Sequence, residues 1–263
     1  MKKSAIITGA SSGIGTSIAL TLLTDGYRIA AVGRDVTRLQ NAFKDIDKNI
    51  FFIIADLSTL EGCNSCIVDS LKALETDKLD ILVNNAGGGV LAQQWGSDTF
   101  SVESFDSVFA LNVRAPALLL HASVPALIAA KGVVINISSV AGTRPFNGLG
   151  AYCMSKSAID MFTQSAALEL ASKGVRVVGI APGTIETSFH ENAGMSKETA
   201  IEYYKASSLT HPLGRVGKAN DIAEAVKFLT SPSASFITGT TLVVDGGRLL
   251  TSSTAPQLST KTK

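Results

Sequence analysis

Seven short apolar runs punctuate this chain, with longer stretches of helical periodicity between them. Ala5–Thr8, Ile29–Val32, Ile50–Ala55, Leu79–Val83, Val133–Ile137, Val175–Ile180 and Thr241–Val244 are rich in β-branched residues and nearly continuous in apolar character. Strands covered on both faces carry such runs, whereas half-solvated strands alternate. After the first run, apolar residues fall at 14, 18, 19, 22 and 23, and Gly26 follows as a C-terminal cap, so a helix is predicted over Ile14–Asp25. Strand and helix patterns that alternate in this way specify βαβ units and a parallel sheet with helices on its faces.

Composition narrows the class. With 263 residues, 46% of them apolar and 17% charged, the chain suits one α/β domain over residues 1–250, and the Ser/Thr-rich stretch 251–263 reads as a polar tail. No linker or fixed-period repeat divides it. A net charge of +1, with no Lys/Arg run longer than two, leaves no electrostatic footprint for nucleic acid or anionic lipid. Lys2 and Lys3 precede too few apolar residues for a signal peptide. The apolar stretch Val113–Ala130 is crossed by Arg114, Pro116, His121 and Pro125 and reads as a buried or interface-forming helix, not a membrane span. Three cysteines, an odd and sparse set, fit a reducing cytoplasmic compartment. Cys63 and Cys66 lack the companions of a zinc site and read as helix residues packed inward, so no metal site is expected.

Between the first strand and first helix lies Thr8-Gly9-Ala10-Ser11-Ser12-Gly13-Ile14-Gly15. Glycines permit a tight turn and close approach to a pyrophosphate, and the free amides of the helix N-terminus favour its charge. In a Rossmann-type protein the end of the second strand reads the adenine ribose, and here it is Val32-Gly33-Arg34-Asp35. Arg34 would pair with the extra phosphate of NADP, which favours NADP over NAD; the competing reading has Asp35 bonding the ribose hydroxyls. Asp56, followed by Leu57 at the end of the third strand, could accept from the adenine amino group or cap the next helix, with Ser58 as a rival cap.

Tyr152 and Lys156 are four residues apart in a helical pattern reaching Ala171 and share one face. A tyrosine of pKa about 10 works as an acid or base near pH 7 only if its phenolate is favoured by roughly 4 kcal/mol, much of which a nearby ammonium can supply. Ser139 ends the fifth strand, where the carboxyl ends of a parallel sheet form the ligand crevice, and its hydroxyl could donate to a developing oxyanion. Ser138 should point the other way.

Taken together, Thr8 to Gly15, Asn84-Asn85-Ala86-Gly87, Asn112, Ser139, Tyr152-x-x-x-Lys156, Pro182-Gly183 and Asp245-Gly246-Gly247 make the chain resemble the short-chain dehydrogenase/reductase family in its single-domain form. The resemblance covers nearly the whole chain. It implies one doubly wound Rossmann-type domain with a seven-stranded parallel sheet, and a reversible NADP(H)-dependent reduction of a small ketone or aldehyde. By that resemblance Tyr152 is the general acid/base, Ser139 polarises the carbonyl, Lys156 lowers the tyrosine pKa and holds the nicotinamide ribose, and Asn112 completes a proton relay. Without it, Asn112 reads as a helix irregularity. Further cofactor contacts are implied for Gly9, Ser11, Ser12, Gly13, Ile14, Gly15, Asn85, Ala86, Gly87, Pro182, Gly183, Ile185 and Thr187. A homotetramer or homodimer is also implied.

Two departures stand out: Ser12 occupies a position where NADP enzymes of the family often carry a basic residue, and the Gly88–Ser101 stretch is long. Residues 188–213 are expected to form a lid, with Phe189, Met195, Tyr203, Tyr204 and Leu209 either lining a pocket or packing the lid down. Three other readings compete. One is a non-catalytic NADP(H)-binding sensor or scaffold, against which the Ser, Tyr and Lys set weighs. Another is a 3-oxoacyl carrier-protein reductase. The third, an enoyl reductase, would space its Tyr and Lys by six intervening residues where this chain has three.

Overall fold

The computed structural model describes residues 2–46, 48–89, 95, 96, 98, 100–192 and 195–251. Seven parallel strands, β1 (Ser4–Thr8), β2 (Arg28–Gly33), β3 (Ile50–Ile54), β4 (Ile81–Asn84), β5 (Val133–Ile137), β6 (Arg176–Pro182) and β9 (Thr241–Val244), form one sheet in the order β3-β2-β1-β4-β5-β6-β9. All seven runs read from the sequence are strands. Two short strands it did not signal, β7 (Ile185–Glu186) and β8 (Gly217–Lys218), pair apart from the main sheet. Only two residues long, they leave no periodicity to read.

Because the inner strands are buried on both sides, their residues divide alternately between two cores. Ala5, Ile7 and Ile29 face α1 (Gly13–Thr24), α2 (Val36–Ala42) and α9 (Ala219–Thr230). Ile6, Ala30 and Leu82 face α3 (Leu60–Ala73), α5 (Ala115–Ala130) and α6 (Gly150–Leu170). The first helix ends where expected, with Gly26 at φ +85° and Tyr27 N–H donating back to the Leu22 carbonyl at 3.1 Å. The fourth strand starts later than its apolar run, since the Leu79 amide donates to Ala126 at the end of α5 and not to a neighbouring strand.

The chain builds outward through β1, β2 and β3, then returns to the other side of β1 with β4. That reversal opens a crevice between β1 and β4 at their carboxyl ends. The apolar Val113–Ala130 segment forms most of a continuous helical run, made of α4 (Val102–Phe109), a π-helical turn over Ala110–Arg114, and α5. The run is long and apolar enough to cross a membrane, yet Leu119, Leu120 and Leu127 are committed to the core beside Cys63 and Cys66. Both cysteines are buried and unpaired, as their inward packing implied.

Candidate active site

One cavity of about 650 Å³ runs along the carboxyl edge of the sheet, within the size range of small-molecule sites. Its first wall is the turn after β1. Gly13 adopts φ +56°, a left-handed conformation natural to glycine, as it opens α1. Gly15 does not line the cavity; a Cβ there would lie 2.3 Å from the Gly9 carbonyl oxygen, so its role is to let the helix sit against the turn. Gly9, Ser11, Ser12, Gly13 and Ile14 do line it.

The turn is tied to β4 by one threonine. Thr8 Oγ1 accepts from the amides of Asn85 and Ala86, both at 2.9 Å, and donates to the Val83 carbonyl. Asn85 Nδ2 donates to the carbonyls of Thr8 and Gly9, so its amide group staples the turn while the residue borders the cavity.

At the end of β2, Arg34 and Asp35 line the cavity beside Arg38, which the sequence reading missed. The Asp35 carboxylate accepts from the Arg38 amide at 3.1 Å and caps α2. Arg34 and Arg38 therefore border this end as cations. Leu57 lines the wall as expected, but Asp56 does not. Its carboxylate accepts from the Ser58 amide and hydroxyl, which hold its pKa below the usual carboxylate range. Neither Asp56 nor Ser58 caps α3. Thr59 does, accepting from Gly62 N–H at 3.0 Å, because the chain makes an extra turn after β3.

At the other end, Ser139 follows β5 and Tyr152 and Lys156 project from successive turns of α6, all three lining the same cavity. Lys156 is buried, its Nζ donating to the Ile137 carbonyl at 2.8 Å and lying 5.6 Å from the Tyr152 ring centroid. Burial brings the lysine down to about 8, with Asp160 opposing. Burial also pushes the Tyr152 phenol up to about 12, against a hydrogen bond with the Ser139 hydroxyl. The lowering contribution here comes from Ser139 and not from the expected Lys156, and desolvation outweighs it. Ser138 does turn away, donating to the Lys156 carbonyl at 3.3 Å.

Asn112 sits in the π-helical turn, buried and outside the cavity lining. Its side chain pairs with both backbone groups of Gly88 and donates to Ser155 Oγ at 3.0 Å. Helix irregularity and site architecture coincide at this residue. Its Oδ1 and Lys156 Nζ both lie within 3.5 Å of where a Gly87 Cβ would stand, so a side chain there would crowd them.

Ala86, Gly87, Pro182, Gly183, Ile185 and Thr187 complete the expected lining. The segment expected to form a lid comprises α7 (Phe189–Asn192) and α8 (Lys197–Ser208), and three of its five named residues take one of the two expected roles. Phe189 and Tyr203 line the cavity, Tyr204 packs the lid down through a 2.6 Å hydrogen bond to the Thr187 carbonyl, and Leu209 is exposed. Sequence reasoning also missed Phe146, His190 and Arg248, which have no spacing relation to the catalytic motif. Residues 90–94 of the long Gly88–Ser101 stretch lie outside the described residues, as does the tail beyond Thr251.

Comparison with known proteins agrees with this geometry. The family model described as enoyl-(acyl carrier protein) reductase matches residues 9–248. The 3-oxoacyl-[acyl-carrier-protein] reductase of Rickettsia prowazekii (strain Madrid E) is 34% identical over 253 residues, 94% of this chain and 97% of that one. A Caenorhabditis elegans short-chain dehydrogenase/reductase of unknown function, solved with cofactor, superposes with a TM-score of 0.88 at 33% identity, covering 95% and 96% of the chains. ElxO with NADP bound gives 0.85 at 29% identity over 95% and 100%. The 3-ketoacyl-(acyl-carrier-protein) reductase of Brucella melitensis complexed with NADH gives 0.83 at 32% identity over 94% and 98%. On the matched length, these identities and the shared fold, the chain belongs to the short-chain dehydrogenase/reductase family of oxidoreductases.

Proposed function

We propose that the protein is an NADP(H)-dependent carbonyl reductase and alcohol dehydrogenase acting through Ser139, Tyr152 and Lys156. The observation that carries this reading is that a strand-end serine and a Tyr-Lys helical pair line the same cavity as a glycine turn at a helix N-terminus. The cavity fits a dinucleotide: a turn whose bulk is limited to Gly and Ser at one point, and two arginines where an adenosine phosphate would lie. Gly9 to Ile14 would hold the pyrophosphate, Arg34 and Arg38 the 2′-phosphate, and Lys156 the ribose next to the nicotinamide. When bound, the nicotinamide supplies or accepts the hydride. ElxO binds NADP and the Brucella protein NADH, so the preference for NADP in this chain rests on Arg34 with Arg38.

The residues do the rest. With its phenol held up to about 12, Tyr152 carries its proton at neutral pH and is set to donate it to the carbonyl oxygen as an alcohol forms. Ser139 donates to the same oxygen while charge builds there. Lys156, an ammonium below about pH 8, favours phenolate in the reverse direction. Asn112 holds Gly88 and Ser155 and acts by positioning the floor under Gly87.

Separate fluorescence titrations with NADPH and NADH, followed by a carbonyl screen with native protein and Tyr152→Phe, test the reading. Tighter NADPH binding and a loss of turnover of 10² or more in the variant are expected; undiminished turnover refutes the mechanism. The 3-oxoacyl carrier-protein reductase reading is favoured by the R. prowazekii relative, and acetoacetyl thioesters in the same screen address it. An enoyl reductase fits less well, because Tyr152 and Lys156 have only three residues between them. Three buried free thiols fit a cytoplasmic setting. Assembly into dimers or tetramers is supported by edge strand β9, whose Leu242 and Val243 are exposed.

A further inference from the structure

Arg248 follows the Gly246-Gly247 turn after β9 and is only 8% exposed, yet it lines the cavity with Phe146, Phe189, His190 and Tyr203. Its guanidinium lies 5.1 Å from the Phe146 ring centroid and donates to Thr184 Oγ1, while its Nε is buried with no partner. Among the described residues it forms no ion pair. The nearby carboxylate of Asp245 is taken up by the amides of Gly247 and Leu249. Residues 252–263 contain no Asp or Glu.

Among the described residues no carboxylate lies within ion-pair distance of Arg248. Arg144 brings a second guanidinium to the same ring, 5.3 Å from its centroid, and its Nε is likewise buried and unpartnered. His190 is held neutral by burial and by Arg248 itself. A guanidinium cannot shed its proton, and a buried cation without an anion is strongly unfavourable. The imbalance lies in the substrate cavity. Aromatic contacts connect it to the catalytic residues, with Tyr152 and Phe189 centroids 5.9 Å apart and Phe189 and His190 5.5 Å apart.

We propose that Arg248 is the anion-binding residue of the substrate pocket, and that the substrate is a carbonyl or hydroxy compound carrying a carboxylate. The inference rests on the carbonyl-reductase reading and names its substrate class. The carboxylate is a spectator: the carbonyl carbon gains a hydride, its oxygen gains the Tyr152 proton, and the acid group keeps its charge. Its oxygens would accept from a terminal nitrogen of Arg248, a charge-assisted contact that a neutral ester lacks.

The test compares kcat/KM with NADPH for straight-chain 2-, 3- and 4-oxo acids against their methyl esters. In the native protein at least one acid is expected to exceed its ester tenfold or more. Arg248→Met should collapse that ratio towards one through KM, and Arg248→Lys should retain part of it. If every native acid-to-ester ratio stays near one, or the ratio survives in Arg248→Met, the anion subsite is wrong. The native comparison needs no variant to fold. Turnover of esters or acetoacetyl thioesters with no preference for acids removes Arg248's role and leaves the carbonyl reductase standing. Absence of turnover with any carbonyl overturns both.

Discussion

Two neighbouring side chains on α6 carry opposite distortions, and both come from burial. Lys156 at about 8 and Tyr152 at about 12 are each biased towards the neutral form. Carbonyl reduction needs the neutral phenol and the lysine ammonium, so its kcat/KM should be flat from about pH 6 to about 8 and fall above that as Lys156 loses its proton. Alcohol oxidation needs the phenolate and should rise with pH over the same range; coincident profiles would contradict this. The lysine also makes a stability prediction. Its folded pKa lies below its unfolded value of 10.5, so the cost of burying the ammonium is fully present below about pH 8 and is relieved as pH rises towards 10.5. Lys156→Met should therefore abolish turnover while raising Tm by a few degrees at pH 7, a gain that shrinks by pH 10. At the adenosine end, Arg34→Ser should weaken NADPH binding about tenfold or more and leave NADH within a few-fold, from the worth of roughly 1.5 to 3 kcal/mol of a charged hydrogen bond. Equal losses for both dinucleotides in the titration would unseat Arg34.

The elements matter here for where they end. The β1–α1 connection holds its shape because Thr8 and Asn85 pin it from two sides and because Gly15 presents no side chain to the Gly9 carbonyl. Gly15→Ala should displace that turn, lowering stability by about 1 to 3 kcal/mol in denaturant unfolding and weakening nucleotide binding tenfold or more. A variant with native stability and affinity would show that the contact relaxes freely. These ends were only partly legible in the sequence. Gly26 and the seven apolar runs declared themselves because caps and period are local signals. The π-helical turn at Asn112 and the later start of β4 involve hydrogen bonds to distant segments, which no local pattern encodes, whereas the α3 cap is a local choice among Asp56, Ser58 and Thr59, all of them residue types that can cap.

For the molecule as a whole, the order β3-β2-β1-β4-β5-β6-β9 places every strand end that bears chemistry on one edge. The outer strand β9 leaves Leu242 and Val243 exposed, and Phe236 is fully exposed nearby in sequence. Sizing chromatography with light scattering should give two or four times 27.4 kDa, and Phe236→Lys should shift the population to smaller species. A native monomer would refute assembly through this edge. By itself the sequence determined the βαβ alternation, the glycine turn, and the residue types for an acid, its cationic neighbour and an oxyanion donor, since these are local in spacing. Tertiary structure decided which of them meet. It turned Asp35 and Asp56 to local hydrogen bonds, set Arg38 beside Arg34, and brought Phe146 and the unpaired Arg248 into the cavity from segments about 100 residues apart. Burial likewise fixed the direction of the Tyr152 and Lys156 shifts, because desolvation belongs to the folded site and not to any spacing along the chain.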